Sequence, residues 1–271
     1  MATYKKRGYK VKTKEDKEKD VSAEQLDSTT AEVFNTLDET ASKTEEWVAK
    51  NQKYIFIGIG AIAFVLLGYL VYSKVFAAPK EAEAANEVFK ANSYFDQAIN
   101  VNVNDQLLKG IATRDSLFTL ALNGGEGKFG YLNIISEYPG TNAANLANYS
   151  AGIAYLNLNE YKLAIKHLQE FSSDDIIIGA KAKGAIGDAF AQLGQQEDAL
   201  AHYEKAFKHS ANDATTPTYL LKAGVTALDL GEAGKALGYF NRIENEYESF
   251  KNTADGKMLD IYIGKAEALK K

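Results

Sequence analysis

The sequence predicts an all-α protein in which a single transmembrane helix precedes an α-solenoid of helical hairpins. Three observations predict it. Residues 54–73 form an apolar run without a charge, a set of small and large residues recurs three times between positions 145 and 250, and prolines number only 3 in 271 residues. Abundant Ala, Leu, Glu and Lys add a general preference for helix.

Residues 1–27 are polar and charged, with little apolar material to bury, and read as a disordered tail. The tail opens with YKKRGYKVKTK, six basic residues before the first acid. A plain solvated segment outweighs a basic arm for anionic lipid or ribosome-like surfaces, because Glu15, Asp16, Glu18 and Asp20 cancel much of the charge. From Ser28 the pattern changes. Thr29 and Glu32 form a capping-box signature, and Val33, Leu37, Ala41, Thr44 and Val48 recur at helical spacing, predicting a cytoplasmic juxtamembrane amphipathic helix over 28–53 with Trp47 near the membrane surface. This helix is either a docking element or a stem.

The charge-free run YIFIGIGAIAFVLLGYLVYS, bounded by Lys53 and Lys74, predicts a transmembrane helix over 54–76. At about 1.5 Å per residue, twenty residues span roughly 30 Å, the thickness of the hydrocarbon core. Tyr54 at one edge and Tyr69 and Tyr72 at the other suit the interface. Too many residues precede the run for a cleaved signal peptide. Lysines flanking the span balance, so orientation rests on the basic start of the tail, which places the N-terminus in the cytoplasm and the large domain outside it. The span has no GxxxG pair to advertise tight helix dimerisation.

Beyond the span, residues 81–144 read as a degenerate helical repeat region. Two helices lie around AANEVFKANSYFDQAI and NDQLLKGIATRDSLFTLAL, and a flexible glycine-rich connector, NGGEGKFG, leads to a short helix ending at Tyr138-Pro139.

Three segments within 145–250 align on Ala164, Ala199 and Ala236, spaced 35 and 37 residues apart. Twelve residues before each alanine stands Gly152, Gly187 or Gly224. Tyr155, Phe190 and Ala227 share one position, and Leu158, Leu193 and Leu230 another. Four residues after each alanine comes Leu168, Tyr203 or Phe240. A small residue at a crossing point lets two helices approach closely while larger residues fill the space beside it, so each unit is a helical hairpin. Asn159, Gly194 and Gly231 fall where a left-handed turn residue would join the two helices. Such hairpins cannot bury an apolar face alone, so neighbours stack. Residues 254–270 form a C-terminal closing helix, with Met258, Leu259, Ile261, Tyr262 and Ile263 available for burial.

These positions resemble the tetratricopeptide pattern over about residues 145–245, although Phe171 and Ile243 replace its last small residue in two units and the terminal proline is absent. The order of parts, from TEEWVAKNQKYI through the membrane helix to YPGTNAANLANYSAGIAYLNLNEYKLAI, resembles the YfgM-like tetratricopeptide proteins, ancillary inner-membrane subunits of the bacterial Sec translocon. The resemblance implies a periplasmic repeat domain that works beside the translocon, with periplasmic chaperones or exported clients as partners. It also implies a protein-binding concave groove formed by the first helix of each hairpin: Leu146, Tyr149, Ile153 and Leu156, then Lys181, Gly184 and Asp188, then Leu221, Val225 and Leu228. Two of these three stretches are apolar, and either a partner's apolar segment or the closing helix covers them. Repeat domains that clamp a C-terminal carboxylate carry Lys and Asn where this chain has Tyr149 and Ile153, and Lys222 alone is not a clamp. That weakens the alternative, a signal-anchored receptor or assembly scaffold with cytosol-facing repeats.

Composition narrows the chemistry. With no cysteine, the chain has no disulfide, zinc-thiolate site, thiol nucleophile or lipid-bearing cysteine. Residues 1–53 carry as many acids as bases, so the net charge of −5 falls on the remainder, which argues against nucleic-acid binding. His167, His202 and His209 lack metal-ligand spacing and read as ordinary helix-surface histidines. Gly58 and Gly60 lie inside the apolar run and make no dinucleotide loop, and NGGEGKFG lacks the Gly-Lys-Ser/Thr ending of a phosphate loop. Glu170, Asp174 and Asp175 lack the glycine and closing glutamate of a calcium loop and read as solvated acids at a helix end. Asn148-Tyr149-Ser150 is a formal glycosylation sequon inside a predicted helix. The sequence therefore predicts a non-enzymatic interaction protein without cofactor or metal.

Overall fold

A computed structural model describes residues 14–101 and 107–270, and the described residues form helices joined by turns and loops, with no strand. It divides into two units, residues 1–72 and 73–271.

The first unit is the helix α1, Lys14–Tyr72. It begins well ahead of the start that Thr29 and Glu32 suggest, so residues 14–27 of the expected disordered tail are helical, while 1–13 lie outside the described residues. Lys and Glu, frequent in this stretch, have high intrinsic helix propensity, and the helix runs unbroken through Thr29. Leu37 and Val48 are exposed along one stripe, as is Trp47. The helical run Lys43–Ile99 contains an 18-residue window of mean hydropathy 2.4, none of it buried, which is long and apolar enough to cross a bilayer. Phe64, for example, is 79% exposed.

The second unit begins with a π turn, Ser73–Ala77, which interrupts the expected span over 54–76 before α2, Ala78–Ile99. Pro79, in the first turn of α2, has no N–H to donate back along the helix, and a π turn is one way the ladder absorbs that loss. Then follow α3 (Leu107–Asn123), α4 (Tyr131–Glu137) and α5 (Asn142–Asn157). Phe95, Phe118 and Tyr131 meet edge to face at 5.5 and 6.1 Å among the helices α2 to α4, and the Tyr131 hydroxyl donates to Asn92 Oδ1 at 2.9 Å. The segment 123–130 is a closed turn rather than a flexible connector: Gly124 has φ +85°, Lys128 N–H donates to Gly125 O at 3.0 Å, and a side chain at Gly125 would press on Tyr94.

The N-terminus of α5 is capped twice. Thr141 Oγ1 accepts from Ala144 N–H at 3.1 Å, and the Glu81 carboxylate, on α2, accepts from Asn142 and Ala143 N–H at 2.7 and 3.1 Å. An acid at the positive end of a helix is stabilising, and here it also fastens α2 to α5.

The remaining helices are α6 (Tyr161–Glu170), α7 (Ile178–Gln192), α8 (Gln196–His209), α9 (Thr216–Asp229), α10 (Ala233–Glu246) and α11 (Leu259–Leu269). From α5 onward each packs on the helix before and the helix after it. The pairs α5/α6, α7/α8 and α9/α10 close with one turn used three times. Asn159, Gly194 and Gly231 have φ of 64°, 74° and 78°. The next N–H reaches back to Tyr155, Phe190 or Ala227 O at 2.9, 3.0 and 2.8 Å, the six-to-one bond of a Schellman cap.

The crossing points follow the spacing of the sequence. A β-carbon on Gly152 would meet the Leu168 side chain, one on Gly187 the Tyr203 ring, and one on Gly224 the Phe240 ring. Ala164, Ala199 and Ala236 are fully buried. Each pairing therefore lets a large side chain be covered by bare backbone, and burying such a side chain is worth about 1.5–3 kcal/mol. The closing helix starts at Leu259, after two 3₁₀ turns at Glu248–Asn252 and Gly256–Met258. Of its expected apolar set, Leu259 is fully buried and Tyr262 and Ile263 half-buried, but Met258 and Ile261 are exposed.

Candidate binding groove

Helices α7, α8 and α9 bring a polar cluster into the open. Asp188, on α7, accepts from the Tyr203 hydroxyl at 2.8 Å and from Lys222 Nζ at 2.6 Å. Lys222 Nζ also lies 5.8 and 5.9 Å from the Tyr203 and Tyr219 ring centroids. Burial and the neighbouring Asp188 push the Tyr203 hydroxyl above its ordinary range, so it remains a donor.

A hollow of about 430 Å³ on one side of this cluster is lined by Leu156, Tyr161, Asp188, Gln192 and Lys222 among others. A second, of about 370 Å³, is lined by Leu221, Lys222, Val225, Asp229, Asp255 and Tyr262 among others. Both include Ala191, Tyr203 and Lys222, so they are two ends of one trough. Three of its lining groups are acids, Asp188, Asp229 and Asp255, against the one cation Lys222, and Asp229 and Asp255 are exposed. The trough can receive an extended segment, with amide and hydroxyl groups for a backbone and a negative end for a basic side chain.

Of the residues expected to line a groove, Leu156, Asp188, Leu221 and Val225 do so. Tyr149 packs instead on Phe171, with ring centroids 5.2 Å apart, and Ile153 joins the same cluster with Leu168 and Ile186. Leu146 and Lys181 are exposed but line neither hollow. Gly184 is buried beneath the Tyr219 ring, and Leu228 is buried in a cluster that includes Leu259 and Ala266 of α11. Of these departures, that of Gly184 comes from the first helix of the next hairpin, whose Tyr219 covers it. The closing helix packs near Leu228 of the third stretch, and its Tyr262 stacks on Phe240 at 5.8 Å and lines the trough beside Leu221 and Val225, which leaves the Asp188–Lys222 region open. Sequence spacing gave no sign that Tyr203, a residue of the second helix of its hairpin, reaches through to the trough.

The histidines are not plain surface residues. His167 stacks on Tyr155 at 5.4 Å and shares a hydrogen bond of 2.9 Å with Asn148, and His202 lies 5.3 Å from Phe190. Burial lowers both imidazoles from their ordinary value, with Lys166 and Lys205 adding to it. Asp175 is a capping acid, accepting from Ile177 and Ile178 N–H at 2.9 and 2.8 Å, and those bonds hold its carboxyl below the usual range. Among the described residues no three His, Asp or Glu side chains converge as a metal site. No family model matches this chain, and no curated protein matches it in sequence.

Proposed function

We propose that this chain is a membrane-anchored interaction protein whose α5–α10 hairpins form a tetratricopeptide-like solenoid that binds other polypeptides. The observation that carries the reading is the open trough around Asp188, Tyr203 and Lys222, presented by three stacked hairpins with a common turn and a common crossing. The exposed, charge-free stretch of α1 supports anchorage in a bilayer. Together with the resemblance to the YfgM-like order of parts, this supports reading the chain as a single-pass protein of a bacterial inner membrane. Its N-terminus is cytoplasmic, its helical unit is periplasmic, and it links the Sec translocon to periplasmic chaperones or exported clients.

A photo-crosslinker at Gln192, inside the trough, tests the reading against the same group at the exposed Lys162 outside it. Mass spectrometry of the adducts is expected to recover translocon or periplasmic chaperone subunits from Gln192 and not from Lys162. Consistent failure to recover them, or equal recovery from both positions, counts against it.

A further inference from the structure

A cavity of about 530 Å³ opens between the end of α6, the loop that follows, α7 and α8. This lies within the range of roughly 300–1,000 Å³ typical of small-molecule pockets. Its apolar lining is Leu168, Phe171, Ala182 and Ile186. Its polar lining includes Lys183, His202, Lys205 and His209, the neutral Gln169, Ser172 and Ser173, and one exposed acid, Asp174.

Asp174 favours the Lys183 ammonium from a distance, but among the described residues no carboxylate bonds directly to Lys183 or Lys205. Lys183 Nζ is 3.1 Å from His209 Nδ1 and 3.4 Å from Gly179 O, neither of them an anion. His209 Nε2 lies 3.0 Å from Asp175 O, so that nitrogen carries the hydrogen and Nδ1 offers a lone pair to the ammonium. Among the described residues neither Lys183 nor Lys205 forms an ion pair. His202 Nδ1 is buried without any partner.

We propose that this cavity binds an amphipathic carboxylate, its oxygens held by Lys183 and Lys205 and its apolar group laid on Leu168, Phe171 and Ile186. The apolar floor disfavours a compact, strongly hydrated dianion, whereas a monoanion with an attached apolar group satisfies both parts of the lining. Two sources carry this chemistry, the C-terminal residue of a polypeptide and a short fatty acid. Lys183, His202 and Lys205 do not line the trough, so this site stands or falls independently of the proposed function.

The test is calorimetric titration of the full chain in lipid nanodiscs with N-acetyl-leucine and with hexanoate, each against its uncharged amide. At least one carboxylate is expected to bind about tenfold or more tightly than its amide, and Lys183→Gln and Lys205→Gln are each expected to weaken it by about tenfold. Lys205 is exposed, so its variant keeps the fold if Lys183→Gln does not, and circular dichroism reads that directly. Preference for N-acetyl-leucine assigns the site to a polypeptide end, and preference for hexanoate to a fatty acid. Equal binding of carboxylate and amide, absence of binding by both carboxylates, or indifference to the Lys205 substitution overturns the proposal.

Discussion

Gly187 faces the ring of Tyr203 so closely that a β-carbon there would lie 2.7 Å from Cδ1 and Cε1. The same relationship joins Gly152 to Leu168 and Gly224 to Phe240. Gly187→Ala and Gly224→Ala should each destabilise the helical unit by about 1–3 kcal/mol, the usual cost of overpacking a closed contact. Gly238 is the control, since it lies within α10 with nothing near its absent side chain. Gly238→Ala should stabilise by about 0.5–1 kcal/mol through helix propensity. Urea unfolding followed by circular dichroism separates the two, and equal effects at Gly187 and Gly238 would contradict the packing argument.

The three Schellman turns make a second set of positions sensitive for a different reason. Nothing crowds Gly194 or Gly231, yet both have φ near 75°, where a β-carbon is strained. Alanine at either is expected to cost about 1–2 kcal/mol without altering the packing of the hairpins. A midpoint shift of that size, with near-native circular dichroism, is the result to look for.

Glu204 joins two hairpins. Its carboxylate accepts from Lys208 Nζ at 2.8 Å and Tyr239 OH at 2.7 Å, and Lys235 Nζ lies 2.9 Å away. Partial burial alone would raise this carboxyl, but the three donors outweigh it and bring it down to about 2. A depressed carboxyl stabilises fully above its unfolded value, about 4.5, and the contribution is lost as pH falls from there toward 2. Glu204→Gln should therefore lower stability at neutral pH and flatten the wild-type decline across that window. Parallel pH profiles for the two proteins would contradict this assignment.

His167 and His202 work on a higher window. Their buried, neutral rings are harder to protonate in the folded chain than in the unfolded one, whose value is about 6.5. The unfolded state then binds more protons below that pH, so stability is complete above about 6.5 and falls as the pH drops through it. Replacing both with phenylalanine, which keeps the stacking on Tyr155 and Phe190, should remove this part of the pH dependence. Denaturation midpoints between about pH 5 and 7 check it.

The hairpins were legible because their contacts are local and repeat. Gly152, Gly187 and Gly224 keep a fixed distance from Ala164, Ala199 and Ala236, and each turn carries Asn or Gly where the backbone needs a positive φ. The entry region was less legible because its decisive contacts span long stretches of chain. Glu81 caps a helix that begins sixty residues later, and no local pattern announces it. The early start of α1 was missed because absence of apolar residues signals a missing core, whereas Lys and Glu favour helix without one. Four residues that the repeat resemblance implied for a groove, Leu156, Asp188, Leu221 and Val225, line the trough, and Tyr203 and Tyr262, from other helices, line it too. Gly184 was misplaced because Tyr219 of the next hairpin covers it.

The most direct test is protease accessibility in intact spheroplasts, with membranes washed at alkaline pH to remove peripheral proteins. The account predicts that the chain stays in the membrane pellet and that external protease removes the α2–α11 unit, leaving a protected fragment that contains α1. Release of the chain by the wash, or survival of the α2–α11 unit until the membrane is opened, would contradict it.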